Sequence, residues 1–323
     1  MNKDNVPVLR VQDLTKHFPA GRGKVVHAVD NVSFQIPRGK TFGLVGESGC
    51  GKSTCARTII RIYEPTGGKV YLGHDDISIL SQKELLPHRQ RMQMIFQDPY
   101  ASLNARMTVH DIIAEPLRAH GVCASRQEES ERVNDMLAQV GLNREHASRY
   151  AHEFSGGQRQ RVGIARALII HPELVICDEP ISALDVSIQA QIVNMLRKFQ
   201  QEQALTYLFI AHDLSMVRYV SDEVGVMYLG QLVETCAADE IYATPLHPYT
   251  QGLLAAIPIP DPKVAREKRA AGLEGDLPSP IDPPSGCRFH TRCPHATERC
   301  KAEVPSLKDV GAGHCVACHL IND

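Results

Sequence analysis

A glycine-rich loop near residue 50 constrains the fold of this chain more than any other feature of its sequence. The loop, Gly46-Glu47-Ser48-Gly49-Cys50-Gly51-Lys52-Ser53, lies between an apolar run at 42–45 and a helix-like segment at 54–62. Glycines let the backbone turn tightly, so that successive N–H groups can point at phosphate oxygens. Lys52 adds a positive charge, Ser53 offers a hydroxyl to Mg²⁺, and the helix dipole faces the phosphates. The loop therefore predicts an α/β domain that binds a nucleotide.

Short apolar runs alternate with helix-like segments along much of the chain. The strand-like runs lie at 42–45, 92–96, 174–177 and 207–210. Between the last two runs, apolar residues recur on one face of a helix, at Ile188, Ile192, Leu196 and Phe199. Strands that alternate with helices favour a parallel sheet covered on both faces. Residues 8–36 instead alternate in the manner of an antiparallel β element.

Residues 108–150 have a different pattern from the strands on either side. Apolar side chains recur there at helical spacing, at Val109, Ile112, Ile113 and Leu117. This predicts an α-helical subdomain at about 98–160, inserted into a nucleotide-binding domain of 1–244. Prolines crowd the chain further on, at Pro258, Pro260, Pro262, Pro278, Pro280, Pro283 and Pro284. Residues 245–323 are therefore predicted to form a separate C-terminal extension.

One apolar run ends in two carboxylates, Asp178 and Glu179, at the strand end where ligands bind in parallel sheets. Asp178 would hold Mg²⁺ through its water shell. Glu179 can polarise the water that attacks a γ-phosphate. Taken alone, the pair is better explained as an exposed turn before Pro180. The phosphate loop upstream favours the catalytic interpretation.

In the string Phe154-Ser155-Gly156-Gly157-Gln158, the serine and the two glycines precede a predicted amphipathic, arginine-rich helix, Gln158 to Ile170. Serine is a good helix N-cap, and two glycines allow a phosphate to approach the backbone closely. The same five residues are equally well explained as a capped helix start. The sequence around them decides between the two interpretations.

The order of these motifs resembles that in the ATP-binding subunit of an ABC transporter. A phosphate loop, the 154–158 string and an apolar strand ending in Asp178-Glu179 follow one another in that family. The resemblance covers residues from about 8 to 320. It implies a P-loop NTPase core with an antiparallel β subdomain, an inserted α-helical subdomain and a C-terminal extension. It also implies that two subunits enclose two ATP molecules and that each string serves the ATP of the other subunit.

The resemblance assigns further residues to roles. The ATP-binding set is Phe18, Gly46, Glu47, Ser48, Gly49, Cys50, Gly51, Lys52, Ser53 and Thr54. The signature residues for the partner's ATP are Ser155, Gly156, Gly157 and Gln158. The catalytic residues are Glu179, His212 (a switch histidine) and Gln97 (a Q-loop glutamine), and Mg²⁺ is held through Ser53, Gln97 and Asp178. Asp185 lies in a segment similar to the D-loop. Phe18 would stack on adenine, although this family more often has tyrosine there and a core phenylalanine is the alternative.

Five of the ten cysteines fall within the last 37 residues, at Cys287, Cys293, Cys300, Cys315 and Cys318. Thiolates gathered on a proline-stiffened scaffold suit soft metals, and only the last pair has the C-x2-C spacing of a zinc knuckle. Residues 245–318 resemble the extension of the dipeptide/oligopeptide importer branch. That resemblance implies a [4Fe–4S] cluster on Cys287, Cys293, Cys300 and Cys318, with Cys315 spare. Zinc, or no metal at all, is the alternative.

The charge balance and hydropathy limit the partners. The chain has 35 basic and 37 acidic residues, and a net charge of −2 does not support nucleic-acid binding. No stretch approaches the ~20 apolar residues of a membrane helix, and residues 1–5 lack the apolar core of an export signal. We therefore expect a cytosolic chain that associates with a membrane through a partner, and the resemblance implies a peripheral position at the cytoplasmic face of the inner membrane.

The resemblance implies an ATPase that powers import of di- or oligopeptides. Its expected partners are a second ATPase subunit, identical or paralogous, two permease subunits and, indirectly, a solute receptor. Relatives in this branch also serve nickel, glutathione and some sugars, so another solute is an open alternative. A non-transport ABC ATPase of ribosomes or DNA is a second alternative, although such proteins usually carry two cassettes or a coiled-coil insertion. A scaffold regulated through the metal of its tail is a third.

Overall fold

The structure, a computed structural model, describes residues 6–257 and 275–321. Pro258, Pro260 and Pro262 lie outside the described residues. Contacts divide the chain into two compact units. The first comprises Met1–Val8, Pro37–Lys40 and Ile79–Leu208, and the second Leu9–Ile36, Thr41–Ser78 and Phe209–Asp323. The phosphate loop and the described part of the C-terminal extension therefore belong to one unit.

The regular elements are numbered along the described chain. The strands are β1 Leu9–Pro19, β2 Val25–Ile36, β3 Thr41–Val45, β4 Gly67–Leu72, β5 Asp75–Asp76, β6 Met92–Ile95, β7 Leu174–Asp178, β8 Thr206–Ala211, β9 Glu223–Tyr228, β10 Gln231–Ala237, β11 Lys308–Asp309 and β12 Cys315–Val316. The helices are α1 Lys52–Ile59, α2 Leu86–Arg91, α3 Pro99–Ser102, α4 Val109–Ala119, α5 Arg126–Gln139, α6 Gly156–Leu168, α7 Val186–Gln203, α8 Leu214–Val220, α9 Ala238–Ala243, α10 Pro248–Ala255 and α11 Glu298–Ala302. Short 3-10 turns span Arg144–Ser148 and Ala151–Glu153.

The first sheet is antiparallel, with the strand order β2-β1-β4-β5. Leu9 lies opposite Ile36 on one side and opposite Leu72 on the other. All three side chains are buried, as the alternating pattern of residues 8–36 predicts. The antiparallel β element is therefore confirmed.

Parallel strand pairs occur in both units. In the second unit β3 and β9 are parallel, with Phe42 opposite Glu223, and the order continues from β9 through β10 and β12 to β11. In the first unit β6 and β7 are parallel, with Met92 opposite Leu174. Strands β3, β7 and β8 are buried along their whole length, which is typical of strands covered on both faces.

Helices make up the regular structure between residues 99 and 168. Helix α4 buries its predicted apolar face: Val109, Ile112, Ile113 and Leu117. The hydroxyl of Thr108 caps this helix by accepting a hydrogen bond from the backbone N–H of Asp111. Arg118 on α4 reaches Glu129 on α5, and their closest atoms lie 2.6 Å apart.

Helix α1 ends earlier than the sequence pattern suggests. Its last residue is Ile59, whereas the pattern predicts a helix to Ile62. Arg61 adopts the left-handed conformation with φ +62°, and the N–H groups of Ile62 and Tyr63 both bond the carbonyl of Arg57. A residue in this conformation reverses the chain and satisfies carbonyls that the helix leaves open.

The C-terminal extension is part of a sheet of the second unit. Strand β12 pairs with β10, so that Thr235 lies opposite Cys315 and Glu234 opposite Val316. Cys315 is therefore a strand residue, and its position is set by the pairing of β12 with β10. No helix in the described part of the chain has the length and apolar character needed to span a membrane.

A fully buried carboxylate, Glu234, holds the start of this extension. It accepts hydrogen bonds from the backbone N–H groups of Leu246 and His247, at 2.7 and 3.0 Å, and lies 2.7 Å from Nε2 of His314. A buried charge needs such partners, because an unpaired one is costly away from water. The side chain of His247 in turn caps α10 by accepting from the N–H of Tyr249 at 3.0 Å.

The burial of His247 makes a pH-dependent contribution to stability. Burial lowers the pKa of this imidazole to about 3, so it stays neutral in the folded protein. On acidification His247 becomes protonated in the unfolded chain but stays neutral in the folded protein. The free energy of unfolding therefore falls from about pH 6.5 downward. We expect His247 to account for a loss of about 2 kcal/mol between about pH 7 and pH 5.

The variant His247→Asn tests this contribution. Asparagine keeps an N-cap acceptor but does not titrate. The change in the urea unfolding midpoint between the two pH values should therefore be smaller in His247→Asn than in the parent protein. Equal changes in the two proteins would contradict the assignment.

Candidate functional site

The phosphate loop leaves the buried strand β3 and enters α1, and two glycines let it pass close to neighbouring backbone. Gly46 has φ +152°, and a Cβ there would lie 2.2 Å from the carbonyl oxygen of Met227. Gly51 has φ +110°, and a Cβ there would lie 2.1 Å from the carbonyl oxygen of Ala28. L side chains rarely adopt such φ values, and real Cβ atoms essentially never come this close to another atom. Only glycine fits at these two positions.

Lys52, the first residue of α1, is held within the loop. Its Nζ donates hydrogen bonds to the carbonyls of Gly46 at 2.7 Å and Glu47 at 2.9 Å. The side chain is buried, with 4% of its surface exposed. Cys50 beside it is also buried, and burial raises the pKa of its thiol. Cys50 therefore acts as a small apolar residue that closes the loop.

The acidic strand end lies in the first unit, where β7 finishes at Asp178. Asp178 is fully buried, and the next residue, Glu179, is half-buried with φ +47°. A left-handed glutamate is strained by about 1–3 kcal/mol, and such strain is typical of functional sites. The amide Nε2 of Gln97 donates a hydrogen bond of 2.9 Å to Oε2 of Glu179. The structure thus brings together Gln97 and Glu179, which lie 82 positions apart.

The string 154–158 forms a capped helix start in the first unit. Ser155 is the N-cap of α6, and its backbone N–H donates to Oε1 of Gln158 at 3.0 Å. The two glycines belong to the first turn of α6, whereas the sequence pattern places the helix start after them. The side chains of Leu184 and of Ile188 on α7 border them: Leu184 lies 3.8 Å from a Cβ built at Gly156, and Ile188 lies 2.8 Å from one built at Gly157.

Asp185 and His212 lie at exposed positions next to the ends of regular elements. Asp185 is the N-cap of α7, and the backbone N–H groups of Ile188 and Gln189 both bond its carbonyl. His212 follows the last residue of β8. The structure thus places Asp185 at a helix start and His212 just after a strand end. Their roles in ATP hydrolysis stay predictions.

Phe18, the predicted adenine-stacking residue, lies on β1 opposite Val26. Its half-buried ring meets Tyr63 edge-on with centroids 5.3 Å apart, and Nζ of Lys16 lies 4.7 Å from the ring centroid. The ring is therefore supported by neighbours and is not enclosed in the core.

Four of the five C-terminal cysteines gather in one place. The N–H of Cys287 bonds the carbonyl of Cys300 at 2.8 Å, and Gly286 lies so close that a Cβ would meet the Cys300 oxygen at 2.4 Å. Burial raises the pKa of Cys287 to about 11, and the nearby thiols of Cys300, Cys318 and Cys293 contribute to the rise. Cys315 instead lies on β12, opposite Thr235 of β10.

One ion pair next to the phosphate loop was not predicted from the sequence. Arg292 donates two hydrogen bonds to the carboxylate of Glu47, at 2.7 and 3.0 Å. The hydroxyl of Tyr249 also accepts a hydrogen bond of 2.9 Å from the backbone N–H of Glu47. No local pattern signals these contacts, because the residues lie 245 and 202 positions apart.

Comparisons with known families agree with the motifs. The profile described as ABC transporter matches residues 29–182. The profile described as oligopeptide/dipeptide transporter, C-terminal region, matches residues 233–300.

Curated relatives are similar over almost the whole chain. The putative oligopeptide transport ATP-binding protein YkfD of Bacillus subtilis is 54% identical over 98% of this chain and 96% of its own length. The oligopeptide transport ATP-binding protein AppF of the same organism is 53% identical over 97% of each chain.

Among solved structures, cbiO1 from Clostridium perfringens, part of an ABC transporter complex, has a TM-score of 0.65 at 27% identity. It covers 74% of this chain and 92% of its own. The dimeric ATP-binding cassette MJ0796 bound to ADP and Pi has a TM-score of 0.66 at 28% identity, over 71% of this chain and 98% of its own.

The contacts of the loop glycines lead to a matched pair of variants. Gly51→Ala and Gly49→Ala both place alanine at positive φ, but among the residues that the structure describes, a Cβ at Gly49 meets only the side chain of Leu277, at 3.8 Å. We expect Gly49→Ala to lower the free energy of unfolding by about 1 kcal/mol from backbone strain alone. Gly51→Ala should lower the free energy of unfolding by about 2–4 kcal/mol, because overpacking against the backbone carbonyl of Ala28 adds to the strain.

Urea unfolding and the dissociation constant of a fluorescent ATP analogue measure the two effects. Gly51→Ala should also weaken nucleotide binding more than Gly49→Ala does. Equal losses in the two variants would show that the close approach to Ala28 is unimportant.

Proposed function

Because this chain belongs to the ATP-binding subunits of ABC transporters, we propose that it hydrolyses ATP to power the import of di- and oligopeptides through a partner permease. The observation that carries the cargo class is the match of residues 233–300 to the oligopeptide/dipeptide transporter C-terminal region. Nickel, glutathione or a sugar is the alternative cargo, since an ATPase subunit does not contact the solute.

Residues at the end of β7, in the phosphate loop and after β6 and β8 are assigned the catalytic roles. Glu179 accepts the proton of the water that attacks the γ-phosphate, and the amide of Gln97 holds one of its carboxylate oxygens at 2.9 Å. The hydroxyl of Ser53 and the carboxylate of Asp178, together with Gln97, are oxygen donors of the kind that Mg²⁺ prefers. Lys52 supplies positive charge to the phosphates, and His212 contacts the γ-phosphate.

The working assembly is a pair of ATPase subunits, identical or paralogous, on two permease subunits. The capped start of α6 presents Ser155, Gly156 and Gly157 to the nucleotide of the partner subunit, and Asp185 lies at the shared interface. The dimeric MJ0796 cassette supports this arrangement. The pair operates at the cytoplasmic face of the inner membrane, where a solute receptor delivers cargo to the permease from the other side.

The variant Glu179→Gln tests the catalytic assignment. It retains the shape of the side chain and removes the base, so ATP should still bind while hydrolysis falls by about 10²–10⁴-fold. Steady-state phosphate release and equilibrium binding of ATP measure the two quantities. The bound variant should also accumulate as an ATP-dependent dimer in size-exclusion chromatography.

Glu202→Gln is the matched control. Glu202 lies on the exposed face of α7 and forms a surface pair with Lys198, at 3.8 Å, so its loss should change little. If Glu179→Gln hydrolysed ATP as fast as Glu202→Gln, Glu179 would not be the base.

For the cysteine site we propose a [4Fe–4S] cluster on Cys287, Cys293, Cys300 and Cys318. The sulfurs have donors suited to thiolates. Burial raises the pKa of the thiols of Cys287, Cys293 and Cys318, and the backbone N–H groups of Phe289, His295 and Leu320, two residues further on, act against this rise in pKa. The hydroxyl of Thr297 lies 3.3 Å from Sγ of Cys300. Hydrogen bonds to sulfur stabilise thiolate ligands and tune such clusters.

The separation of the sulfurs does not match that around a single zinc ion. A tetrahedral zinc with bonds of about 2.3 Å holds its sulfurs about 3.8 Å apart. Among residues 6–257 and 275–321, no three cysteine sulfurs lie within 4.8 Å of one another. Cys287, Cys293, Cys300 and Cys318 would hold a four-iron cluster, which when bound would cross-link three segments of the extension.

Anaerobic purification with iron and sulfide analysis tests the cluster. We expect about four irons per chain and a broad absorption band near 400 nm. Cys300→Ser should remove both signals, whereas Cys315→Ser, in a cysteine of the same extension, should keep them. A colourless protein, or equal loss in the two variants, would contradict the ligand assignment.

A further inference from the structure

The geometry points to the C-terminal extension as part of the nucleotide site. We propose that Arg292 is a positioning residue that holds and neutralises Glu47 of the phosphate loop. This inference rests on the proposed ATP binding at residues 46–53. It adds to that site a residue from a segment far along the chain, which the sequence pattern assigns to no nucleotide motif.

The contact between Arg292 and Glu47 has the geometry of a strong ion pair. Nη1 of Arg292 lies 2.7 Å from Oε2 of Glu47, and Nη2 lies 3.0 Å from Oε1. This two-pronged arrangement matches the planar guanidinium to the planar carboxylate. Only 5% of the Arg292 side chain is exposed, against 28% for Glu47. Water therefore screens this pair much less than it would screen a surface pair.

The extension also holds the backbone of the same loop residue. The N–H of Glu47 donates to the hydroxyl of Tyr249, a residue without exposed surface. Tyr249 packs against Tyr228 and Phe289, with ring centroids 4.7 and 5.4 Å away. Glu47 is thus fixed through its main chain and its side chain by the part of the chain that follows residue 244.

The position of Glu47 affects the lysine that faces the phosphates. The carbonyl of Glu47 accepts a hydrogen bond of 2.9 Å from Nζ of Lys52. A displacement of Glu47 would therefore move an acceptor that orients the lysine. Arg292 acts on the phosphates through Glu47 and Lys52 and does not need to contact them.

The charge of Glu47 gives the pair a second effect. Glu47 places a carboxylate in a loop that attracts phosphate through its N–H groups and Lys52. With Arg292 bound, the pair is neutral. Without Arg292, the negative charge of Glu47 remains unpaired near the phosphates. Repulsion between this charge and the phosphates, over several ångströms at the intermediate dielectric of a protein surface, lowers the affinity for ATP about tenfold.

The position of Arg292 depends on the cysteine segment. Arg292 directly precedes Cys293, and its N–H bonds the carbonyl of Phe289 at 3.0 Å. The same segment is tied to α11 by the bond from Cys287 to Cys300. A ligand or contact that fixes the position of these cysteines therefore also fixes the position of Arg292. By thermodynamic reciprocity, ATP binding should order the cysteine segment in turn.

A double-mutant cycle in the full-length chain tests the proposal. The variants are Arg292→Ala, Glu47→Gln and the two combined, and the probe is ATP, with its dissociation constant and the KM and kcat of hydrolysis measured for each. We expect Arg292→Ala to raise the dissociation constant and KM about tenfold and to change kcat less. In the Glu47→Gln background, Arg292→Ala should raise the dissociation constant of ATP less than about threefold, because no carboxylate is left unpaired. Arg292→Lys should restore part of the affinity, since it returns the charge without the fork.

Arg299→Ala is the control. Arg299 lies in the same extension and forms an exposed pair with Glu303, at 2.9 Å, so its loss should leave ATP binding unchanged. An Arg292→Ala effect of the same size in the parent protein and in the Glu47→Gln variant would overturn the proposal, as would parental affinity in Arg292→Ala. A parent protein that fails to bind ATP would instead refute the proposed function, so the two failures are distinguishable.

Discussion

The close passage of the phosphate loop between two neighbouring main-chain segments is the constraint on which the nucleotide site depends. At Gly46 and Gly51 the carbonyl oxygens of Met227 and Ala28 leave no room for a side chain. These oxygens belong to β9 and β2, so strands from both sheets of the second unit determine the path of the loop. The loop in turn sets the direction of Lys52 and the start of α1. A site of this kind forms only when the surrounding strands are in place.

Carboxylates in each of the two units are paired across long sequence distances. Glu47 meets Arg292, buried Glu234 meets two backbone N–H groups and His314, and Glu179 meets Gln97. The pairings of Glu47 and Glu234 compensate for the removal of these carboxylates from water, and all three pairings fix the direction of a carboxylate. The first two also attach the C-terminal extension to the rest of its unit. The extension is therefore joined to the phosphate loop by the same interactions that stabilise it.

Much of the fold was predictable because its signals are local. Alternation in residues 8–36, the buried runs at 42–45 and 174–177, and the apolar face of α4 are each read within a few residues. Helix ends were less predictable, since α1 ends where Arg61 turns left-handed. The position of Cys315 on a strand that pairs with β10 has no local signal, because pairing partners about 80 residues apart leave no periodicity.

The sequence by itself determined the chemistry of the site: a phosphate loop, a strand ending in two carboxylates, a capped glycine pair and a group of cysteines, each defined by adjacent residues. Tertiary structure alone decided which of these groups act on one another. It bonds Gln97 to Glu179, brings four cysteines together while placing the fifth on a strand, and sets Arg292 against Glu47. The physical reason is that side-chain pairing requires proximity in space. Residues 82 or 245 positions apart come together only when the whole chain has folded.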